Sequence, residues 1–258
     1  MKKLNSVTLI LAAVAILGGN AALLATQTSD RIESSAKKSY VFKTYLKNDN
    51  VKIQAMDDGV VALTGTVSEW SHRSLAEETV AGLPGVVRVD NKLEVSGGKP
   101  DENSDTWIGM KVKTMLMFHR NVSGLKTDID VKEGVVTLRG QAANEAQIEL
   151  TTEYVKEVEG VKSVKNDMKV FKAEKTAYEK VGDNIDDASI TAQVKIALLF
   201  HQSTSAVNIK IETNKGMVKV SGGVKNSAEK DLVIKLINNI KGVKGIINEI
   251  TIGQVSMK

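Results

Sequence analysis

Histidine is the residue type in this sequence best suited to acid–base or metal chemistry, and the chain has His72, His119 and His201. A zinc site needs several ligands in one place, whereas no pattern gathers these histidines and the chain has no cysteine. A general base needs an oriented partner and a nearby nucleophile, and no motif supplies them. We therefore expect no catalytic residue and no metal. We interpret His119 and His201 as cations stabilised at helix C-termini.

Three glycine-bounded segments superficially resemble phosphate-binding loops: GVVALTG at 59–65, GVVTLRG at 134–140 and GMVKVSG at 216–222. A phosphate loop needs a Lys-Ser or Lys-Thr pair after its glycines, and none of these segments has one. We expect no nucleotide or other cofactor. The formal net charge of +4 is also too small to indicate nucleic-acid binding.

The same glycines show that the sequence repeats itself three times. From the first glycine of each copy, a second glycine, a third glycine and an asparagine follow at offsets of 6, 26 and 32 residues. The repeated positions are Gly59, Gly65, Gly85 and Asn91; Gly134, Gly140, Gly160 and Asn166; and Gly216, Gly222, Gly242 and Asn248. The periods of 75 and 82 residues exceed those of solenoid repeats, so each copy is predicted to be a small domain.

Each repeated glycine has a predicted structural role. The first occupies a tight hairpin that requires a positive φ, the second ends the following strand, and the third stops a helix as its C′ residue. A further helix precedes the hairpin at 105–119 and 188–201, and 30–47 matches it less well. The predicted fold class is α+β, with tandem αββαβ units, each a three-stranded mixed sheet packed on two helices.

The repeats divide the chain into predicted parts: units at 30–96, 105–172 and 186–253, with linkers at 97–104 and 173–185. Residues 1–25 have the basic start, apolar run and small residues of an export signal. Their apolar stretch is also long enough for an uncleaved inner-membrane anchor. In both cases we expect the folded part of the chain to lie in the periplasm.

The order of a hydrophobic helix, I-x-V, GVVxLxG, a helix, GVxxVxN and an alternating strand resembles the BON domain. The resemblance extends over residues 30–252. It implies αββαβ units in an exported envelope protein, an association with phospholipid membranes and osmotic stress, and no catalytic chemistry. The shared glycines are structural, so the resemblance itself indicates no binding residue.

The helix at 105–119 carries a second apolar stripe in addition to its core face. The stripe and its margins provide the candidate lipid- or partner-contact residues: Trp107, Met110, Lys111, Lys113, Met117 and Phe118. One interpretation is that the stripe packs on a neighbouring unit, since methionine-rich surfaces adapt to partners. The other is a lipid interface with lysines near anionic headgroups. The equivalent helix of the third copy has the smaller Ser189 and Ala192.

Basic residues of the third copy offer a further attraction to anionic lipid. They are Lys210, Lys219, Lys225, Lys230, Lys235, Lys241 and Lys244. Our leading hypothesis is a non-enzymatic envelope protein that binds anionic phospholipid surfaces under osmotic stress. The alternative is a periplasmic protein-interaction scaffold or holdase-like module. The sequence predicts neither an oligomeric state nor a specific protein partner.

Overall fold

The computed structural model describes residues 28–102, 104–122, 124–171, 185–204 and 208–253. The predicted export signal or anchor at 1–25 lies outside these residues. Within the described part of the chain, no helix is both long and apolar enough to cross a membrane.

The described residues form three units of the same construction. Unit 1 contains α1 (28–38), α2 (Tyr40–Thr44), β1 (Asn50–Ala55), β2 (Val60–Val67), α3 (Trp70–Ala81) and β3 (Arg88–Val95). Unit 2 contains α4 (Asp105–Phe118), β4 (Thr127–Lys132), β5 (Val135–Ala142), α5 (Glu145–Lys156), β6 (Ser163–Asn166) and β7 (Lys169–Val170). Unit 3 contains α6 (Asp187–Phe200), β8 (Ile209–Asn214), β9 (Met217–Val224), α7 (Ser227–Asn238) and β10 (Gly245–Ile252).

Each unit has one mixed sheet with the same strand order. The first two strands pair antiparallel through the hairpin, and the last strand pairs parallel to the second, which lies in the middle. The parallel pairing follows because α3, α5 or α7 crosses over between the second strand and the last. The predicted α+β class, with tandem αββαβ units, is confirmed.

The core of each unit lies between the helices and one face of the sheet. Alternate residues of the central strand point inward and are fully buried: Val61 and Leu63, Val136 and Leu138, and Val218 and Val220. Apolar residues of the crossover helix lie in the same core: Leu75 and Val80, Val155, and Val233 and Ile237. Full burial of such a side chain contributes roughly 1.5–3 kcal/mol.

The second repeated glycine does not end its strand, contrary to the prediction. Gly65, Gly140 and Gly222 lie inside β2, β5 and β9, each of which continues for two more residues. Their φ values of 112°, 123° and 128° belong to the region that disfavours side chains. A Cβ on Gly222 would lie 2.0 Å from the carbonyl oxygen of Asn208. The position requires glycine because the neighbouring backbone approaches it so closely.

The third repeated glycine is not a helix C′ residue, because the crossover helix ends about one turn earlier. In unit 1, α3 ends at Ala81, and Gly85 has a φ of 91° within a turn closed by the Val86 N–H donating to the Leu83 carbonyl at 3.2 Å. This is the third position of a type II turn, which requires a positive φ. Unit 2 has the same turn, in which the Val161 N–H donates to the Val158 carbonyl.

The repeated asparagine ties the last strand to the crossover helix. In unit 1, Asn91 Nδ2 donates to the Arg73 carbonyl at 3.2 Å and to Glu77 Oε2 at 2.8 Å, and its Oδ1 accepts the Leu93 N–H. Asn166 makes the corresponding bonds to α5 and Met168. The third-unit residue keeps the local bond, to the Ile250 N–H at 3.0 Å. The asparagines therefore have a structural role.

Candidate functional site

Units 2 and 3 dock through a pair of matching main-chain contacts. The Lys241 N–H donates to the Phe118 carbonyl at 3.0 Å, and the Arg120 N–H donates to the Asn239 carbonyl at 2.9 Å. The equivalent residues, 82 positions away in each case, make the same bonds with the two units exchanged. The Glu159 N–H donates to the Phe200 carbonyl, and the Gln202 N–H donates to the Glu157 carbonyl. Exchanging the two units reproduces the pattern, so they form a pseudo-twofold pair of the isologous kind.

Unit 1 lacks one of the donors used in this arrangement because it has a proline there. Pro84 occupies the position at which the other units have Glu159 and Lys241, 75 and 157 residues later. Proline has no backbone N–H, so the donor that forms the docking bond is missing. Among the described residues, no hydrogen bond between two main-chain groups joins unit 1 to the other two units.

Unit 1 instead covers the paired helices α4 and α6. The ring of Trp70 in α3 lies 5.0 Å from the ring of Trp107 in α4, and the ring of Tyr45 lies 5.5 Å from that of Phe118. We call the covered face the helix platform. It comprises Trp107, Lys113, Met117 and Phe118 on α4, and Ala188, Ser189 and Lys195 on α6, each of which contacts unit 1.

Small residues on α6 explain why unit 1 lies nearer to this helix than to α4. A Cβ built on Gly82, at the end of α3, would be 3.4 Å from the Cβ of Ala188. Ser189 Oγ accepts the Val41 N–H at 3.1 Å, where the equivalent residue of α4 is the bulky Trp107. Because α6 has smaller side chains than α4 at equivalent positions, unit 1 can approach α6 more closely than α4.

Two ion pairs lie at the rim of the helix platform. Lys113 Nζ is 2.6 Å from Glu69, and Lys195 Nζ is 2.7 Å from Glu78. The two lysines occupy equivalent positions of α4 and α6, 82 residues apart. Both glutamates belong to unit 1, one just before α3 and one within it. Unit 1 therefore presents an apolar helix face flanked by two carboxylates.

The candidate contact residues fall into two groups. Trp107, Met110, Met117 and Phe118 are buried, and Lys111 is only 1% exposed, while the Lys113 side chain is 48% exposed. The buried side chains do not face solvent in this arrangement, so shallow insertion into lipid requires unit 1 to move. Lys111 belongs to unit 2 itself, since its Nζ donates to Glu159 at 3.1 Å.

We predict that Glu159→Gln destabilises the protein by about 1 kcal/mol, because it leaves the buried Lys111 ammonium without its carboxylate. Lys111→Met is expected to cost less, since an apolar side chain of similar length removes the buried charge altogether. Urea unfolding measures both. If Lys111→Met proves the more damaging change, the ammonium has a role beyond this ion pair.

His119 lies between units 2 and 3 and is not the cation that the sequence suggested. Burial, together with the charges of Lys241 and Arg120, lowers the pKa of His119 from 6.5 to about 4. Its Nδ1 accepts the Asn121 N–H at 3.1 Å, and its ring lies 3.8 Å from that of Tyr154. Among the described residues its Nε2 has no hydrogen-bond partner. The imidazole is therefore neutral, because desolvation outweighs the attraction of the helix dipole.

The other two histidines also make polar contacts, His201 across the contact between units 2 and 3 and His72 within unit 1. His201 Nε2 lies 3.4 Å from Glu157 Oε2, and this close histidine holds the pKa of Glu157 below its usual value. His72 Nδ1 lies 2.6 Å from Asp49 and 3.2 Å from the Ser68 hydroxyl. Within the described ranges, no group of three histidine, cysteine or acidic residues could hold a metal ion.

The family model for the BON domain matches the chain three times, at residues 28–97, 104–171 and 186–254. The chain belongs to the BON domain family. Osmotically-inducible protein Y of Escherichia coli (strain K12) is 32% identical over 165 residues, which are 63% of this chain and 78% of that protein. The "uncharacterized protein in gshII 5′ region" of Anaplasma centrale is 29% identical over 144 residues, which are 56% of this chain and 91% of that protein.

Solved structures that resemble this BON protein include two of CdsD, a structural protein of the type III secretion system of Chlamydia trachomatis. One is of its C-terminal domain, and both are 14% identical to this chain. They cover 83% and 84% of it, and 96% and 91% of their own chains, with TM-scores of 0.23 and 0.25.

The lysines of the third BON unit do not form one basic patch. Lys210 pairs with Glu212 at 2.6 Å and Lys219 with Glu249 at 3.0 Å. Lys230 donates to the Ile250 carbonyl, and Lys241 donates to the Met117 carbonyl at the inter-unit contact. Burial lowers the pKa of Lys241. These four lysines therefore have partners within the protein, and the two carboxylate pairs offset part of the positive charge of this unit.

Proposed function

We propose that this BON protein is a non-enzymatic component of the cell envelope that acts under osmotic stress and associates reversibly with anionic phospholipid surfaces. Its similarity to osmotically-inducible protein Y supports the link with osmotic stress. The signal-like composition of residues 1–25 supports export to the periplasm.

One observation carries the lipid part of the proposal. An αββαβ unit needs one apolar face on its first helix, and α4 has a second face that includes Trp107 and Phe118, with Lys113 at its rim. Aromatic residues beside lysines are typical of helices that lie at a membrane interface. Unit 1 covers this face, and among the described residues no hydrogen bond between two main-chain groups holds it there, so we expect a competitor of similar chemistry to be able to displace it.

Vesicle co-sedimentation tests the proposal. The mature protein is expected to sediment with phosphatidylglycerol vesicles at low salt and to remain in solution with phosphatidylcholine vesicles. Because a Debye length of about 10 Å at 0.1 M salt screens exposed charges, binding should weaken as salt rises. Absence of binding to phosphatidylglycerol at low salt would remove the lipid function. Recovery of a defined envelope protein in a pull-down would then favour the scaffold alternative.

A further inference from the structure

We propose that unit 1 is a displaceable cap, and that an anionic bilayer surface takes its place on the helix platform when unit 1 moves away. The inference rests on the proposed lipid association and specifies the site and the movement that it requires. It concerns a face that is buried in the closed molecule.

The charges that unit 1 brings to the platform match those of an anionic membrane. Glu69 and Glu78 neutralise Lys113 and Lys195 in the closed form. When unit 1 leaves, both lysines lose their carboxylates and stand at the rim of an apolar face. Lipid phosphates supply the same negative charge at the headgroup level. Both ion pairs are partly exposed, so each holds the cap only weakly.

The apolar contacts between the cap and the platform also suit an interfacial surface. Trp70 packs on Trp107, and Tyr45 packs on Phe118. Removal of unit 1 uncovers Trp107 and Phe118 together, and both residue types insert readily at the boundary between headgroups and acyl chains. The replacement for unit 1 must therefore be apolar and anionic at the same time, as an anionic bilayer is.

The attachment of unit 1 permits this movement. Units 2 and 3 are joined by main-chain bonds at two symmetric places, whereas Pro84 removes the corresponding donor from unit 1. Gly97 and Gly98, which follow β3, both have a φ of 82°, and a Cβ on either would meet nothing within 4 Å. These two glycines, which have no close neighbours, lie between unit 1 and unit 2 and provide a hinge.

A disulfide lock tests the cap directly. Gly82 has a φ of −79°, which suits any residue, and its Cβ would lie 3.4 Å from that of Ala188, close to the spacing within a disulfide. The chain has no cysteine, so a Gly82→Cys/Ala188→Cys variant has no competing thiol. Reduced, it is expected to bind phosphatidylglycerol vesicles like the wild type. Oxidised, it is expected to lose binding by about tenfold or more, because the lock removes the competent state.

The single variants Gly82→Cys and Ala188→Cys, treated with the same oxidant, control for the substitutions themselves. Equal binding by the reduced and oxidised double variant would overturn the cap and leave the proposed function standing. Absence of binding by every form would overturn both. Loss of binding on oxidation, with recovery on reduction, supports both.

A second variant tests the cap without a crosslink. Glu69→Gln with Glu78→Gln removes both rim ion pairs and is expected to raise vesicle binding several-fold, because the closed state loses its electrostatic contacts with the platform. The control is Glu94→Gln with Glu149→Gln, which removes two exposed carboxylates on β3 and α5 and leaves the rim intact. If both pairs of substitutions raise binding equally, net charge is the cause, and the cap is contradicted.

Discussion

Gly222→Ala is expected to destabilise unit 3 by about 3 kcal/mol or more, enough to unfold a domain of this size. The residue has a φ of 128°, and the added Cβ would lie 2.0 Å from the Asn208 carbonyl oxygen and 3.2 Å from the Ile209 Cα. Both neighbours are backbone atoms, one in the first residue of the paired strand β8 and one in the residue before it, so the clash cannot be relieved by rotating a side chain. Urea unfolding followed by circular dichroism measures the loss.

The next residue provides a matched control. Gly223 also lies in β9, but its φ is outside the left-handed region, and a Cβ there would meet nothing within 4 Å. Gly223→Ala is therefore expected to change the free energy of unfolding by less than about 1 kcal/mol. If the two alanine variants are equally stable, the close backbone approach at Gly222 does not determine stability.

The repeated glycines make much of the fold predictable from sequence, because a positive φ is a local requirement. The hairpins at Gly134 and Gly216 show it: each glycine has a φ of 80°, and the preceding Glu133 and Lys215 are also in the left-handed region. Two consecutive residues with positive φ make a type I′ hairpin turn, which fixes the register of the flanking strands. The strand order follows from the crossover helix.

The roles of the other glycines could not be deduced from spacing alone. The glycine within β9 is required by a neighbouring strand, which one sequence motif does not reveal. The spacing predicts a helix end at Gly85, because helix ends also favour a positive φ. The type II turn satisfies the same requirement a few residues later, and Pro84 before Gly85 is a signal for it.

The candidate site was predictable in part. A second apolar stripe on α4 indicated an interface of some kind, and the structure places its buried members beneath unit 1 or within the inter-unit contacts. The pseudo-twofold docking was not foreseen, because its hydrogen bonds use backbone groups that every residue has. Pro84 is the sequence feature that relates to this docking, since the equivalent positions of the other two units supply a backbone N–H donor and proline has none.

The environment of His119 was mispredicted because its neighbours come from another unit. The helix end alone favours a cation, whereas docking brings Lys241 close and removes water from the ring. The consequence is a stability that depends on pH. The folded-state pKa of about 4 lies below the ordinary value of 6.5, so between these two values the unfolded chain binds a proton that the folded chain excludes.

Stability contributed by neutral His119 is therefore fully present above pH 6.5 and is lost as the pH falls towards about 4. At 1.36 kcal/mol per pKa unit, the full loss amounts to roughly 3 kcal/mol. His119→Asn provides the comparison, since its amide oxygen can accept the Asn121 N–H in place of Nδ1. At pH 7.5 the variant should have a lower free energy of unfolding than the wild type. Between pH 6.5 and pH 4 its free energy of unfolding should fall less than that of the wild type.

The difference between the two urea-unfolding series isolates His119, because the wild type and the variant share every other ionisable group. Parallel curves across this range would mean that the imidazole is hydrated and that units 2 and 3 do not hold the contact between His119 and Tyr154 in solution. If the difference in unfolding free energy between the wild type and His119→Asn becomes smaller as the pH falls, the pseudo-twofold contact excludes water from His119. Acid then also weakens the contact between unit 1 and the helix platform. Phe118, which contacts Tyr45 of unit 1, immediately precedes His119 in the chain.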